Sequence, residues 1–112
     1  MPHQHFQECI DACNACAVIC NHCAVSCLQE PDVKDLAKCI QRDLECATIC
    51  NAAVQIMSMD GELSAQVCQL CADACTRCAE ECEKHAHMEH CRECAEACRK
   101  CAETCAQMAE HA

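Results

Sequence analysis

Cysteine recurs along this chain in steps of three and four. Cys9, Cys13, Cys16, Cys20, Cys23 and Cys27 step by 4, 3, 4, 3, 4. Cys68, Cys71, Cys75, Cys78 and Cys82 step by 3, 4, 3, 4, and Cys91, Cys94, Cys98, Cys101 and Cys105 repeat that. Cys39, Cys46 and Cys50 keep the rhythm with one gap. Such steps place side chains on one stripe of an α-helix. The stripe that normally holds leucine and isoleucine here holds thiols. The chain must therefore fold into helices whose packing seams are lined with sulfur.

Punctuation divides the chain into four helices. Gly61 is the only glycine, and the prolines are Pro2 and Pro31. Residues 4–28 hold no breaker, and Gln29-Glu30-Pro31-Asp32 ends that segment. Pro31 suits the first turn of a new helix, with Asp32 and Asp35 near its positive end. The second helix is predicted over 32–58, and Asp60-Gly61 reads as its stop. A third follows over 63–84, the connection His85-Ala86-His87-Met88, and a fourth over 89–110. Short links make neighbouring helices antiparallel, and a seam period of 3.5 favours coiled-coil-like packing. The expected fold is all-α: one domain, 1–112, forming an antiparallel up-down-up-down four-helix bundle with a cysteine-lined core.

Ordinary core material is scarce. There is one aromatic, Phe6, and five each of leucine, isoleucine, valine and methionine. The 53% hydrophobic content is mostly cysteine and alanine. Large aliphatic side chains contribute roughly 1.5–3 kcal/mol each when buried, and alanine far less. Something besides hydrophobic burial is expected to hold the bundle.

The formal net charge of −10 opposes binding to nucleic acid or to anionic membranes. The start, Met1-Pro2-His3-Gln4-His5-Phe6-Gln7-Glu8-Cys9, has neither a basic segment nor an apolar run, so no signal peptide is expected. No stretch approaches the ~20 apolar residues of a membrane span. The chain reads as cytoplasmic. That compartment is reducing, and the 19 cysteines are an odd number. Neighbours at i,i+3 or i,i+4 also keep their Cβ atoms ~5–6 Å apart, beyond the ~3.5–4.5 Å a disulfide needs. The ladder is therefore not a disulfide scaffold, although bridges between helices are geometrically open.

Extending each seam past its last cysteine shows two different ends. One end gathers Phe6, Ala53, Met57 and Met108, with Met59 near them. The other gathers His85, His87 and His90, with Leu36 capping the second helix. His3, His5, His22 and His111 read as surface residues. One seam slot breaks the pattern: the position between Cys39 and Cys46 is Asp43. A carboxylate facing a bundle interior is costly unless paired or bound to a cation. The alternative is rotation toward solvent or a pair with Arg42.

Thiolates are soft ligands that select Cu(I), zinc or iron–sulfur clusters. Zinc favours discrete tetrahedral sites, and cluster motifs place cysteines in loops around one centre. An unbroken ladder with no isolated quartet suits Cu(I), which neighbouring thiolates can share. Nineteen thiolates in a low-dielectric interior would repel one another, and one monovalent ion per thiolate neutralises them. A capacity of roughly one Cu(I) per cysteine follows from bridging by soft ligands. The metal candidates are thus all 19 cysteines, with Asp43, His85, His87, His90, Met57 and Met108 as accessory groups. The alternatives are a zinc or cadmium thiolate buffer and a thiol redox module. No nucleophile–base pair or phosphate-cradling loop is visible, so no enzyme is expected.

These features resemble the copper storage proteins, specifically their signal-less cytosolic branch. The resemblance covers essentially the whole chain. It is carried by the C-x-x-x-C-x-x-C-x-x-x-C-x-x-C-x-x-x-C run over 9–27, Cys39-Ile-Gln-Arg-Asp-Leu-Glu-Cys46 with Cys50, Cys68-Gln-Leu-Cys71-Ala-Asp-Ala-Cys75, and the histidine-rich turn before Cys91. It implies a bundle filled with many Cu(I) ions and assembled as a homotetramer. It also implies a mouth bearing histidine or methionine that admits copper. In cytosolic members an aspartate of the second helix and histidines near the last hairpin supplement the thiols, which here would be Asp43, His85, His87 and His90.

Overall fold

The computed structural model describes residues 5–111. Four helices account for most of them: α1 (Gln7–Leu28), α2 (Ala37–Ser58), α3 (Ser64–Glu83) and α4 (Glu89–His111). Each packs against its neighbours in sequence, and α4 closes the ring against α1. The result is an up-down-up-down bundle 47 Å long and 18 Å across. The expected start of the first helix at residue 4 lies outside the described residues, as does His3.

The bundle core is made of sulfur and methyl groups. All 19 cysteines are buried, together with Ala17, Ala24, Ala47, Ala53, Ala72, Ala79 and Ala95. Of the five leucines only Leu36 is inside, whereas Leu28, Leu44, Leu63 and Leu70 are exposed. This inverts the usual preference, since leucine is ordinarily among the most buried residues. Small side chains on the positions flanking each seam let the four helices approach one another around a narrow sulfur-lined interior.

The connections fix the two ends. α1 closes when the N–H groups of Gln29 and Glu30 donate to the carbonyls of Ser26 and Cys27. The second helix does not start at Pro31–Asp32 as expected. A single 3₁₀ turn, Val33–Leu36, precedes α2, with the Asp35 N–H donating to the Asp32 carbonyl at 2.9 Å. Leu36, the last residue of this turn, is fully buried in the core, three positions before Cys39 on the same seam.

At the other end α2 stops in a Schellman arrangement. The Gly61 N–H donates to the Ile56 carbonyl at 3.0 Å, and the Asp60 N–H to the Met57 carbonyl at 3.1 Å. The left-handed residue is Asp60, with φ 52°, not the glycine. Gly61 is required for another reason: a Cβ there would lie 2.9 Å from Ile56 Cγ2 and 3.1 Å from the Ile56 carbonyl oxygen.

By length and composition α1, Gln7–Leu28, passes for a helix able to cross a membrane, although Glu8, Asp11, Asn14 and Asn21 interrupt its apolar residues. The reason is that cysteine and alanine count as apolar. The cysteines that supply this hydropathy are buried in the bundle, against the other three helices.

Candidate metal centre

Helical register brings the thiols of all four helices onto one axis. At the end formed by Phe6 and Met57, the Cys9 and Cys105 sulfurs lie 3.4 Å apart, and Cys68 donates to the Met57 thioether at 3.5 Å. Cys13, Cys71, Cys101 and Cys105 follow as a quartet whose sulfurs lie within 4.8 Å of one another. The middle holds Cys16, Cys46, Cys50 and Cys75, then Cys16, Cys20, Cys46 and Cys98, then Cys20, Cys78, Cys94 and Cys98. At the far end Cys23, Cys27, Cys91 and the imidazole of His90 form a mixed group. Cys39 and Cys82 meet nearby at 3.6 Å.

These spacings suit metal ligation. Metal–sulfur bonds of about 2.3 Å, as in zinc thiolates, put three ligand sulfurs about 4 Å apart. Sulfurs across the bundle already stand at such distances, for example Cys16 and Cys98 at 3.7 Å and Cys50 and Cys71 at 3.6 Å. All 19 cysteines are free thiols. Burial, then the neighbouring Cys39 sulfur, pushes the Cys27 thiol up to about 12. Without metal the protonated thiol is therefore the favoured form there, and metal must displace its proton.

Asp43 faces the interior, fully buried. Its Oδ1 accepts from the thiols of Cys78 at 3.2 Å, Cys94 at 3.3 Å and Cys82 at 3.6 Å. Its Oδ2 is buried with no partner among the described residues. Burial first, then the sulfurs of Cys94, Cys78 and Cys39, pushes the carboxyl up to about 11. The expected alternatives, rotation to solvent or a pair with Arg42, do not describe its surroundings. An orphaned buried carboxyl oxygen is costly, and a cation that displaced the carboxyl proton would satisfy it.

The structure separates the three histidines at the α3–α4 hairpin. His90 Nδ1 stands 3.6 Å from the Cys23 sulfur, 3.9 Å from Cys27 and 3.5 Å from Cys91. His85 instead turns its Nε2 to Glu81 Oε2 at 3.3 Å. His87 is exposed. The seam extrapolation pointed inward at 85 and 87 because it continued helical steps past Glu83 and before Glu89, where the chain is no longer helical. At the opposite end Met57 is fully buried. Met108 is half-buried, lining a small cavity with Cys9, His5 and His111. Met59 is exposed, as are His5, His22 and His111.

Two acidic residues belong to this picture and were not foreseen. Glu81 is buried beneath His85, and Lys84 Nζ donates to it at 3.4 Å. The available signal was its place on the Val67–Ala74–Glu81 heptad, whose other members are buried. Glu30 accepts at Oε1 from His90 Nε2 at 3.2 Å, across 60 residues of sequence. No periodicity announces that contact, because Glu30 lies in the connection after α1.

Comparison with known proteins agrees with this geometry. The family model described as copper storage protein matches residues 2–110. The uncharacterized cysteine-rich protein YhjQ of Bacillus subtilis is 47% identical over 68 residues, which is 61% of this chain and 63% of that protein, just under two thirds of its length. A cytosolic copper storage protein from Streptomyces lividans, solved with five coppers, superposes with a TM-score of 0.92 at 41% identity, covering 97% of this chain and 95% of the other. The metal-free copper storage protein 3 of Bacillus subtilis gives a TM-score of 0.87 at 47% identity over 92% of this chain and 97% of the other. The Cu(I)-bound copper storage protein BsCsp3 gives 0.90 at 46% identity over 95% and 99%. With its thiol-filled bundle and this match over nearly its full length, the chain belongs to the copper storage protein family.

Proposed function

We propose that this protein stores Cu(I) on the thiolates of all 19 cysteines, at roughly one ion per cysteine. The observation that carries this reading is the sharing of sulfurs. Cys16, Cys20, Cys46 and Cys98 each belong to two thiol quartets, so the middle of the bundle offers bridged sites rather than separate ones. Bridging suits a monovalent soft ion that accepts two or three thiolates. It suits isolated tetrahedral zinc sites less well. Asp43, His90 and Met57 act as accessory groups, each already within hydrogen-bonding reach of core sulfurs. Holding Cu(I) in a closed interior keeps a redox-active ion away from other proteins, and the chain's role is storage, not catalysis.

The reading extends to cytoplasmic residence and homotetramer assembly. The first draws support from the match to a relative described as cytosolic. The second draws support from Val18, Val25, Leu28, Leu44, Leu63 and Leu70, large apolar side chains left exposed on α1, on α2, just before α3 and on α3. Titration of the reduced protein against a Cu(I)-chelate competitor tests the function. Uptake approaching one Cu(I) per thiol, with the luminescence of Cu(I)–thiolate clusters, is expected. Saturation at about four to six divalent ions would favour a zinc or cadmium buffer instead. Rapid loss of free thiols to intramolecular disulfides would favour a redox module.

A further inference from the structure

His90 is held from both sides. Its Nδ1 faces the sulfurs of Cys23, Cys27 and Cys91 at 3.5–3.9 Å, and its Nε2 meets Glu30 Oε1 at 3.2 Å. The side chains of His90 and Glu30 are 14% and 32% exposed, so the contact is only partly open to water. A carboxylate can only accept, so the proton of the neutral ring resides on Nε2. Nδ1 is then a lone pair aimed at the thiols. Glu30 is carried to this place by the backbone that closes α1, where its N–H donates to the Cys27 carbonyl at 3.2 Å.

We propose that Glu30 is a positioning residue: it accepts the Nε2–H of His90, fixes the tautomer and orientation of the ring, and so makes Nδ1 a copper donor within the Cys23–Cys27–Cys91 group. The assignment rests on the Cu(I) storage reading above. A carboxylate behind a ligating imidazole both orients the ring and raises its basicity. His85 supplies the internal contrast. Its Nε2 also meets a carboxylate, Glu81, yet His90 is the histidine placed among the cysteine sulfurs. Glu30 thereby decides how firmly the imidazole end of the tube takes up copper, without itself touching the ion.

The test is made on full-length, reduced protein. Ring ¹⁵N shifts of metal-free protein should show His90 protonated at Nε2 and free at Nδ1. Glu30→Ala should populate the Nδ1–H tautomer. It should also raise, by about tenfold or more, the free Cu(I) needed to shift the His90 resonance under a chelate competitor. Glu30→Gln retains an accepting oxygen and should keep the wild-type tautomer. Far-UV circular dichroism and total copper capacity should be unchanged in both variants. A wild-type ring protonated at Nδ1 would overturn the assignment. So would a Glu30→Ala variant with unaltered tautomer and unaltered Cu(I) dependence. If Glu30→Ala does not fold, the wild-type tautomer and the Glu30→Gln titration decide the matter. Failure of the wild-type protein to take up Cu(I) at all would sink the storage reading while leaving the tautomer result standing, so the two failures are distinguishable.

Discussion

Asp43 Oδ1 accepts the thiol of Cys78 at 3.2 Å, in a bundle interior where Oδ2 of the same carboxyl has no partner among the described residues. The pair defines a carboxyl that the metal-free fold holds protonated. Burial raises it from an ordinary 3.8 to about 11. The folded state then binds a proton that the unfolded state releases. A raised pKa gives a contribution that is complete below pH ~4 and is lost as pH climbs toward the folded value. Between pH 5 and 8, before free thiols titrate, Asp43 should lower the stability of metal-free protein by up to about 1.4 kcal/mol per pH unit. Asp43→Asn keeps the shape and removes the titration. Its urea midpoints at pH 5, 6.5 and 8 should fall less steeply than those of the wild type and be higher at pH 8. Parallel curves would show that Asp43 does not carry the pH dependence.

Copper should stabilise this fold more than a typical ligand stabilises its host. The core offers cysteine and alanine where most domains bury leucine. Sulfurs from different helices stand close enough to share an ion, as Cys13 of α1 and Cys71 of α3 do at 3.7 Å. A ligand at a thousandfold excess over its Kd adds about 4 kcal/mol per site. At about 4 °C per kcal/mol for a chain of this size, even one such site predicts a rise in Tm of about 15 °C. Thermal unfolding followed by circular dichroism, with and without Cu(I), measures it. An unchanged Tm would break the coupling between copper and fold. The metal-free protein should already be helical in the same measurement.

The α2–α3 turn can be tuned in two directions. Gly61→Ala places a methyl 3.1 Å from the Ile56 carbonyl oxygen and 2.9 Å from Ile56 Cγ2. The clash should cost about 1–3 kcal/mol. Asp60→Gly relieves the left-handed backbone at φ 52° and should add roughly 0.5–1 kcal/mol. Chemical denaturation ranks the three proteins. A Gly61→Ala variant as stable as wild type would mean that Ile56 moves aside freely. Neither change touches a thiol, so copper capacity should be retained.

The cysteine register was legible in the sequence because it rests on helical steps inside unbroken segments. Every cysteine placed on a seam is buried. Asp43 was legible for the same reason, as a slot in that register, and it points inward. Legibility failed where the helices end. The 3₁₀ turn before α2 stands where the sequence predicted regular helix from residue 32, because the seam step of three from Leu36 to Cys39 does not distinguish the two. The histidine register was harder to read at the same kind of boundary, since a period of 3.5 has no meaning in the turn between Glu83 and Glu89, where His85 turns to Glu81 and His87 is exposed. Glu30 and Glu81 were invisible as partners because their roles arise from packing across the bundle end.

That boundary yields a direct comparison between two histidines only three positions apart. His87 is exposed, whereas His90 Nδ1 faces three cysteine sulfurs at 3.5–3.9 Å. His87→Ala should leave Cu(I) affinity and loading rate within error of wild type. His90→Ala removes one donor from the group it shares with Cys23, Cys27 and Cys91. It should weaken the ions held there by about tenfold or more while leaving the thiol-only quartets loaded, since loss of a ligand costs at least as much as loss of its carboxylate partner. Competition with chelators of graded Cu(I) affinity separates the weakest-held ions from the rest. Equal effects of the two substitutions would mean that the histidine-rich turn acts through its overall composition and not through the placement of the His90 ring.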